Sequence, residues 1–180
     1  NKAIIDLHTI KENAIAIKKL INGQGKFCAV VKSDAYGHGA VPFAKTMEDA
    51  GADYIAVATV KEGVELRQGG IKLPILILTA GTEMYPQVIE YNLEPGMPNV
   101  SSLEKFSQVL KAQGISKYPV HIKFDTGMHR LGFLPQEIPA LVEVVKKQTA
   151  LTPRSVFSHF AGSDSGQFDD FTRLQTERFV

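Results

Sequence analysis

The sequence has one cysteine, no tryptophan and almost no net charge. The single cysteine, Cys28, cannot form an internal disulfide, which excludes a cross-linked secreted scaffold and a thiolate metal cluster. Lysine and arginine number 20 against 19 aspartate and glutamate residues, so the formal net charge is +1. Charge therefore gives no reason to expect nucleic acid or an anionic membrane as a partner. We expect a small-molecule substrate or another protein instead, in a reducing, cytoplasmic compartment.

Long apolar runs and metal-ligand patterns are also missing. No run approaches the roughly 20 apolar residues that cross a bilayer, and Lys2 is not followed by the apolar segment of a signal peptide. The five histidines contain no helical i, i+4 pair, so we expect no metal site. The chain of 180 residues starts at Asn1 rather than Met and stops inside a predicted helix. We expect it to be a piece of a longer protein.

Strand and helix patterns alternate along the whole sequence, with no composition change that would indicate a linker. The first apolar run reads as a strand buried on both faces, which makes Cys28 a small core residue rather than a reactive thiol. Capping-box patterns predict helix starts at Thr9, Thr59 and Ser101, and Pro135 begins another helix. The six predicted strands are Phe27–Val31, Tyr54–Ala58, Leu73–Leu78, Leu93–Asn99, Val120–Asp125 and Arg154–Phe160.

This alternation predicts an α/β fold built from right-handed βαβ crossovers. A doubly wound nucleotide-binding sheet requires G-x-G-x-x-G after its first strand, but Gly23-Gln-Gly25 precedes the strand and Cys28 occupies the third glycine position. A complete (β/α)8 barrel typically needs about 250 residues. We therefore predict a TIM-type barrel that is incomplete here, with about six βα units.

Polar residues at the carboxyl ends of the strands are the candidates for chemistry, because ligands bind there in α/β folds. Lys32 follows the first strand, where its partly desolvated amine is available to condense with an aldehyde. The alternative is a lysine whose amine extends to solvent, which is the commoner case. Tyr36 follows in a segment whose Gly37 and Gly39 either let the backbone approach a ligand or form a plain turn.

The fifth strand runs into a cluster of charged residues. Arg130 can bind a carboxylate or a phenolate, and Lys123 can hold its orientation through a bridging group. An Asp125–Arg130 ion pair with a purely structural role fits the spacing equally well. Asp125-Thr-Gly127 also matches the aspartic-protease loop, but that class is β-rich and this sequence alternates strand and helix. His159, after the sixth strand, is a base, a ligand or a satisfied core histidine.

Three segments, Ala29–Gly39, Lys123–Phe133 and Ser158–Asp164, resemble the signatures of the alanine racemase family in order and spacing. This family uses pyridoxal 5'-phosphate and consists of a (β/α)8 barrel followed by a β-rich domain. The resemblance implies that residues 1–8 form a strand that joins the C-terminal β domain. It also implies that residues 9–180 form a partial, cofactor-binding barrel, with the last two barrel units and the β domain absent.

The resemblance also implies roles for individual residues. Lys32 forms the Schiff base with the cofactor aldehyde and, once released, moves a proton at the substrate α-carbon. Tyr36 contacts the cofactor phosphate, and Arg130 lies near the cofactor phenolic oxygen and the substrate carboxylate. Lys123 matches a lysine that is carbamylated in many members and orients the arginine. His159 belongs to the residues that support the cofactor.

The activity implied for the intact protein is the interconversion of L-alanine and D-alanine, which supplies peptidoglycan precursors. Racemisation needs proton exchange on both faces of the α-carbon. In the family, the second base is a tyrosine from the C-terminal domain of the other subunit of a homodimer, beyond residue 180. We therefore expect this chain alone to be inactive.

Three other interpretations remain open at this stage. A relative could act on serine or on a broader set of amino acids, because substrate size depends on pocket residues that the sequence does not place. The chain could belong to a non-catalytic module that binds pyridoxal 5'-phosphate. The racemase could also be fused to a cell-wall ligase.

Overall fold

The six strands of the structure are parallel, and each pairs with its neighbour in sequence. They are β1 (Cys28–Val30), β2 (Tyr54–Val57), β3 (Ile75–Ile77), β4 (Glu94–Met97), β5 (Tyr118–Lys123) and β6 (Leu151–Phe157). The computed structural model describes residues 3–180 and gives the strand order β1-β2-β3-β4-β5-β6. A doubly wound sheet reverses its order partway, whereas a (β/α)8 barrel keeps the order of the sequence. The observed order confirms the predicted incomplete barrel.

Helix α1 (Leu7–Ile21) precedes β1, and the other helices within residues 3–180 follow the strands. They are α2 (Lys32–Gly37), α3 (Ala40–Asp49), α4 (Val60–Gln68), α5 (Tyr85–Glu90), α6 (Val100–Ala112), α7 (Ile138–Lys147) and α8 (Asp169–Phe179). Short 3₁₀ turns cover Thr82–Met84, Pro135–Glu137 and Gly166–Phe168. Within residues 3–180, no helix combines the length and the apolar character needed to span a membrane.

The chain divides into two compact units, Asn1–Pro95 and Gly96–Val180. The boundary falls inside β4, between a proline and a glycine. The sequence predicted no linker, and the composition does not change at this point. The first unit therefore holds β1 to β3 and the start of β4, and the second holds the end of β4 with β5 and β6.

The core of the first unit forms between its strands and α4. Ile55, Ile75 and Ile77 are fully buried. Gly63 of α4 packs against this core so closely that a β-carbon built on it would lie 2.7 Å from Cδ1 of Ile77 and 3.0 Å from Cδ1 of Leu93. Interiors packed at this density resist any added atom. The position of α4 on β3 therefore depends on a glycine.

The core of the second unit joins α6 to β5. Phe106 of α6 is fully buried and meets the ring of Tyr118 edge to face, with ring centroids 5.4 Å apart. This geometry is the one that aromatic pairs prefer. β5 pairs with β6 along its full length, with one irregularity in register between Val120 and His121. Packing and pairing together fix β5, the strand that leads into the charged cluster.

The prediction that the first strand is buried on both faces is wrong. Ala29 is buried, but Cys28 is exposed and Val30 is 42% exposed. The described residues cover only the face that carries Ala29, and a parallel strand is buried on both faces only where both are covered. Cys28 is thus not a core residue. Protein atoms around its thiol still desolvate it enough to raise its pKa to about 11, so the thiol is protonated at neutral pH.

Two predicted helix starts are also wrong. Asp6, not Thr9, caps α1, because its carboxylate accepts hydrogen bonds from the N–H groups of His8 (2.9 Å) and Thr9 (3.3 Å). Asn99 caps α6 through a 2.9 Å hydrogen bond from the N–H of Ser102, so the helix begins before the predicted serine. Aspartate and asparagine are at least as effective as serine and threonine at this position. In both helices the cap is a residue that the capping-box pattern did not indicate.

The predicted strand at the start of the chain falls partly on Asn1 and Lys2, which lie outside the described residues. Residues 3–6 form no regular element, and Leu7 already belongs to α1. A strand needs a neighbour to pair with. The neighbour implied by the resemblance lies in a β domain outside this chain, so its pairing stays a prediction.

Arg67, near the end of α4, donates hydrogen bonds to four backbone carbonyls. Its Nη1 donates to the oxygens of Ile71 (2.8 Å) and Leu73 (2.7 Å), and its Nε and Nη2 donate to those of Tyr91 and Asn92, both at 3.1 Å. The planar guanidinium presents its donors in a rigid fork that suits several acceptors at once. One side chain therefore joins the segment before β3 to the segment before β4.

We expect Arg67→Met to lower the free energy of unfolding by about 3 kcal/mol, because several partly buried carbonyls lose their charged donor together. Urea unfolding followed by circular dichroism measures the change. Lys61→Met, at an exposed position of the same helix, is the matched control and should change the free energy of unfolding by less than about 0.5 kcal/mol. Equal effects of the two substitutions would contradict the proposed role of Arg67.

Candidate functional site

Lys32 lies two residues beyond β1, at the carboxyl end of the strand, where it begins α2. Val31 before it is fully buried, and Lys32 itself is half-buried. Its Nζ lies 5.8 Å from the ring centroid of Tyr36, within the range of a cation–π contact. No carboxylate among residues 3–180 forms an ion pair with this amine. The amine of Lys32 thus lies beside the phenol of Tyr36 near the end of β1, without an acidic partner among residues 3–180.

The segment after Lys32 has an unusual backbone. Ser33, Asp34, Ala35 and Tyr36 all have positive φ, between 53° and 56°, and together form a left-handed helical turn. For residues other than glycine, this conformation costs roughly 1–2 kcal/mol each. Such strain persists only where the surrounding structure enforces it, and it concentrates at functional sites. The sequence signalled a turn through its glycines, but not this left-handed run.

Side chains on both sides hold the left-handed turn. Glu62 of α4 accepts a 2.7 Å hydrogen bond from the N–H of Ser33, and Asp34 accepts a 2.6 Å bond from the N–H of Ala40 in α3. His38 Nδ1 lies 2.8 Å from the carbonyl oxygen of Ala35. Two neighbouring helices therefore fix the strained segment that follows the lysine.

Lys123 ends β5 and is largely buried. The residue is 7% exposed, and its Nζ lies 4.8 Å from the ring centroid of Phe157. Desolvation by burial lowers the pKa of the Lys123 amine, and the nearby charge of Arg130 lowers it further, while Asp125 acts in the opposite direction. The amine of Lys123 therefore loses its proton more readily than the amine of an exposed lysine.

Asp125 is paired with His129, not with Arg130. Its Oδ1 accepts hydrogen bonds from the N–H groups of Gly127 (2.9 Å) and His129 (3.0 Å), and its Oδ2 lies 3.3 Å from His129 Nδ1. Burial alone would raise the pKa of Asp125, but these hydrogen bonds and the charge of His129 outweigh it and lower the pKa. The alternative of an Asp125–Arg130 ion pair is therefore wrong. Arg130 is exposed and has no carboxylate partner among residues 3–180.

The predicted site residues fall into two groups. Lys32 and Tyr36 are neighbours in the first unit. In the second unit, Lys123, Arg130 and His159 line one pocket together with Asp125, Ser158, Phe124, Met128 and Leu131. His159 is exposed, which contradicts the alternative of a core histidine. The second group therefore presents an amine, a guanidinium and an imidazole to one small space.

Gln175 of α8 was not anticipated, although it is fully buried and joins the loops that follow β5 and β6. Its Nε2 donates to Thr126 Oγ1 (3.0 Å) and to the carbonyl oxygen of His159 (2.9 Å), and its Oε1 accepts from the N–H of Ala161 (3.0 Å). Buried polar groups that are fully bonded make such loops rigid. The sequence does not indicate this role, because a glutamine in a polar helix is usually exposed and the burial of Gln175 depends on how α8 packs.

No three His, Cys, Asp or Glu side chains within residues 3–180 are grouped closely enough to hold a metal ion. The functional groups that the two clusters do present are amines, a phenol, a guanidinium and an imidazole. Such groups bind and polarise organic ligands with anionic oxygens or a carbonyl.

Comparison with known proteins identifies the family. The family model described as "Alanine racemase, N-terminal domain" matches residues 5–180. A curated alanine racemase of Treponema denticola is 40% identical over 184 aligned residues, which cover 99% of this chain and 48% of that protein. This chain therefore spans about half the length of the curated relatives it matches.

Solved structures give the same result. The alanine racemase of E. faecalis matches with a TM-score of 0.90 and 34% identity, over 97% of this chain and 47% of that one. The alanine racemase of Bacillus anthracis, solved with bound L-Ala-P, matches with a TM-score of 0.88 and 31% identity, over 97% of this chain and 45% of that one. These matches confirm the resemblance carried by the three sequence motifs. The chain belongs to the alanine racemase family and corresponds to its N-terminal domain.

Proposed function

We propose that the protein containing this chain interconverts L-alanine and D-alanine and supplies D-alanine for peptidoglycan precursors. The single observation that carries the proposal is the position of Lys32, a half-buried amine without an acidic partner among residues 3–180, at the carboxyl end of β1 and beside Tyr36. Ligands bind at this end of the strands in α/β barrels. The bound L-Ala-P in the Bacillus anthracis relative supports alanine as the substrate.

Enzymes of this family depend on pyridoxal 5'-phosphate, and the chemistry of the residues fits that cofactor. When bound, it supplies an electron sink that stabilises negative charge at the α-carbon of an amino acid. Lys32 provides a primary amine for the aldehyde. Tyr36 provides a phenolic donor, and Arg130 a cation without a carboxylate partner among residues 3–180, both suited to anionic oxygens. These side chains therefore suit the aldehyde and the anionic oxygens of the cofactor.

Each residue has a proposed task. With the cofactor bound, Lys32 would hold it through its aldehyde and would hold and move a proton on one face of the substrate α-carbon. Tyr36 donates a hydrogen bond to the phosphate, and His159 supports the cofactor. Arg130 binds the phenolic oxygen of the cofactor and the substrate carboxylate, which fixes the substrate in one orientation.

Lys123 is proposed to carry a carbamate. Its neutral amine attacks the carbon of CO₂ and loses a proton, so a cation becomes an anion. The lowered pKa of the amine makes the neutral form available. The exchange also replaces the repulsion between Lys123 and Arg130 by an attraction that holds the guanidinium in place. A carbamate at this position thereby orients Arg130 for substrate.

Proton exchange on the face of the α-carbon opposite Lys32 requires a second base, and no residue of this chain is proposed for that role. Racemisation passes a proton on both faces of the α-carbon, and Lys32 serves one face. We propose that the other base is a tyrosine of the partner subunit in a cytoplasmic homodimer, from the half of the protein beyond this chain.

Borohydride reduction of the full-length protein loaded with pyridoxal 5'-phosphate should attach the cofactor irreversibly to Lys32, as peptide mapping will show. Lys32→Ala should abolish the label and lower kcat for alanine racemisation by at least about 10³-fold, because the covalent link and one base are lost together. Lys45→Ala, at an exposed position of α3, should retain both. A label on another lysine would refute the assignment. A label on Lys32 without racemisation would favour a non-catalytic module, and faster turnover of serine would favour a broader racemase.

Carbamate formation at Lys123 should be visible by ¹³C NMR after addition of ¹³C-labelled bicarbonate. Because its pKa is lowered, the amine should become reactive at a lower pH than an exposed lysine, whose pKa is about 10.4. The signal should then fade as the pH falls further and the amine becomes protonated. Lys123→Arg should remove the signal, and Lys45→Arg should not. Persistence of the signal in Lys123→Arg would rule out this lysine as the carbamate carrier.

The 180-residue chain alone, supplied with pyridoxal 5'-phosphate, should not racemise L-alanine, because one of the two bases is missing. Chiral chromatography of alanine after prolonged incubation measures this directly. The full-length protein at the same concentration is the control. Formation of D-alanine by the short chain at a rate above that of free cofactor would show that it contains both bases.

A further inference from the structure

Glu62 is bonded to two separate parts of the chain at once. Its Oε2 accepts hydrogen bonds from the N–H groups of Ala58 and Thr59, both at 2.8 Å, and from Thr59 Oγ1 at 3.2 Å. Its Oε1 accepts a 2.7 Å bond from the N–H of Ser33. The first set completes the capping box of α4. The second bond reaches across to the residue that directly follows Lys32.

The capping box does not explain the bond to Ser33. One carboxylate oxygen is enough to close a capping box, and here Oε2 does so alone. Oε1 is turned towards the first residue of the left-handed turn. Only a group with two acceptor oxygens can satisfy both sets of donors, because a glutamine side chain has one acceptor oxygen and a donating amide. The geometry therefore requires a carboxylate at this position.

The bond also acts at a sensitive point of the backbone. Ser33 is the first of the four residues with positive φ, so its N–H lies where φ changes from negative to positive. The turn is anchored downstream by Asp34, which binds the N–H of Ala40. Glu62 anchors it upstream, next to Lys32. Loss of the hydrogen bond from Ser33 to Glu62 would let the strained backbone at Ser33 relax. The direction of the neighbouring Lys32 side chain would then change.

We propose that Glu62 is a positioning residue that fixes the backbone at Ser33 and thereby the direction of the Lys32 side chain. The inference rests on the proposed function in so far as Lys32 is the lysine that binds the cofactor. The fixing of Ser33 itself is a property of the chain alone, and it can be measured without cofactor.

Three substitutions in the full-length protein separate positioning from helix capping. Glu62→Gln cannot serve both sets of donors. Thr59→Ala removes the capping hydroxyl but leaves the bond between Glu62 and Ser33. Glu65→Gln, at an exposed position of the same helix, removes the same charge elsewhere and is the matched control.

The first measurement is hydrogen exchange of the Ser33 amide in the cofactor-free protein, by mass spectrometry with residue-level fragmentation. Glu62→Gln should accelerate this exchange about tenfold or more, because the amide loses a hydrogen bond to a charged acceptor. Thr59→Ala and Glu65→Gln should leave the Ser33 amide within about twofold of the parent. Unchanged protection in Glu62→Gln would overturn the proposal.

The second measurement is racemisation by the loaded protein. Glu62→Gln should lower kcat by about 10- to 100-fold with little change in KM for alanine, because a misdirected amine lowers the rate of proton transfer rather than substrate affinity. Thr59→Ala should retain most of kcat even where it lowers the melting temperature. An equal loss of kcat in Thr59→Ala and Glu62→Gln would show that helix stability, not positioning, controls the rate.

The two proposals can fail separately. If borohydride labels no lysine or another lysine in the parent protein, the proposed function fails, while the Ser33 exchange still decides the role of Glu62. If Lys32 is labelled but Glu62→Gln changes neither exchange nor kcat, the inference fails alone. Should Glu62→Gln not fold, Glu62→Asp keeps the charge but is one methylene too short to reach both sets of donors. It is then measured in the same way, with the same expected acceleration at Ser33.

Discussion

Parallel pairing between consecutive strands is the constraint on which the other features depend. Within each unit, it sends the carboxyl ends of paired strands in the same direction, so the polar segments that follow those strands leave from one edge. Lys32 follows β1 in this way, and Asp125 follows β5. The helices then return the chain to the start of the next strand and supply side chains, such as Glu62, that hold the segments in place. The polar side chains therefore gather in the segments after the strands, where strand pairing no longer provides hydrogen bonds for the backbone.

Lys32 in the first unit and Lys123 in the second illustrate how environment can suit the same side chain to different tasks. Lys32 is half-buried beside a phenol, on a backbone held by neighbouring helices. Lys123 is almost completely buried and lies near a guanidinium, and both conditions lower its pKa. An accessible amine suits reaction with a large carbonyl compound, whereas an enclosed amine with a lowered pKa suits a small gas molecule. Burial and neighbouring charge, rather than residue type, separate the two roles.

Features encoded over short stretches of sequence could be predicted. The capping box at Thr59 forms as its pattern indicates, and the alternation of strand and helix gave the barrel fold and its six strands. Prediction failed where the structure uses a residue that the sequence pattern did not indicate. Asp6 caps α1, although the capping-box pattern begins at Thr9. Asp125 binds the N–H and the ring of His129, although the spacing suggested Arg130.

Features that depend on distant parts of the chain could not be predicted. The left-handed run from Ser33 to Tyr36 contains no glycine and exists because α3 and α4 hold it. Gln175 matters through its burial between two loops, which only the packed structure reveals. The exposure of Cys28 follows from the lack of described residues over one face of β1.

Gly63 adds a consequence for how this protein can change over evolution. It is the residue next to Glu62, and a β-carbon at this position would lie only 2.7 Å from Cδ1 of Ile77. The amide after Lys32 is therefore linked, through one carboxylate and one glycine, to a methyl group in the hydrophobic interior. A change in the size of the buried side chains around Gly63 would here alter the backbone next to Lys32, so this part of the core should evolve as slowly as the segment that follows β1.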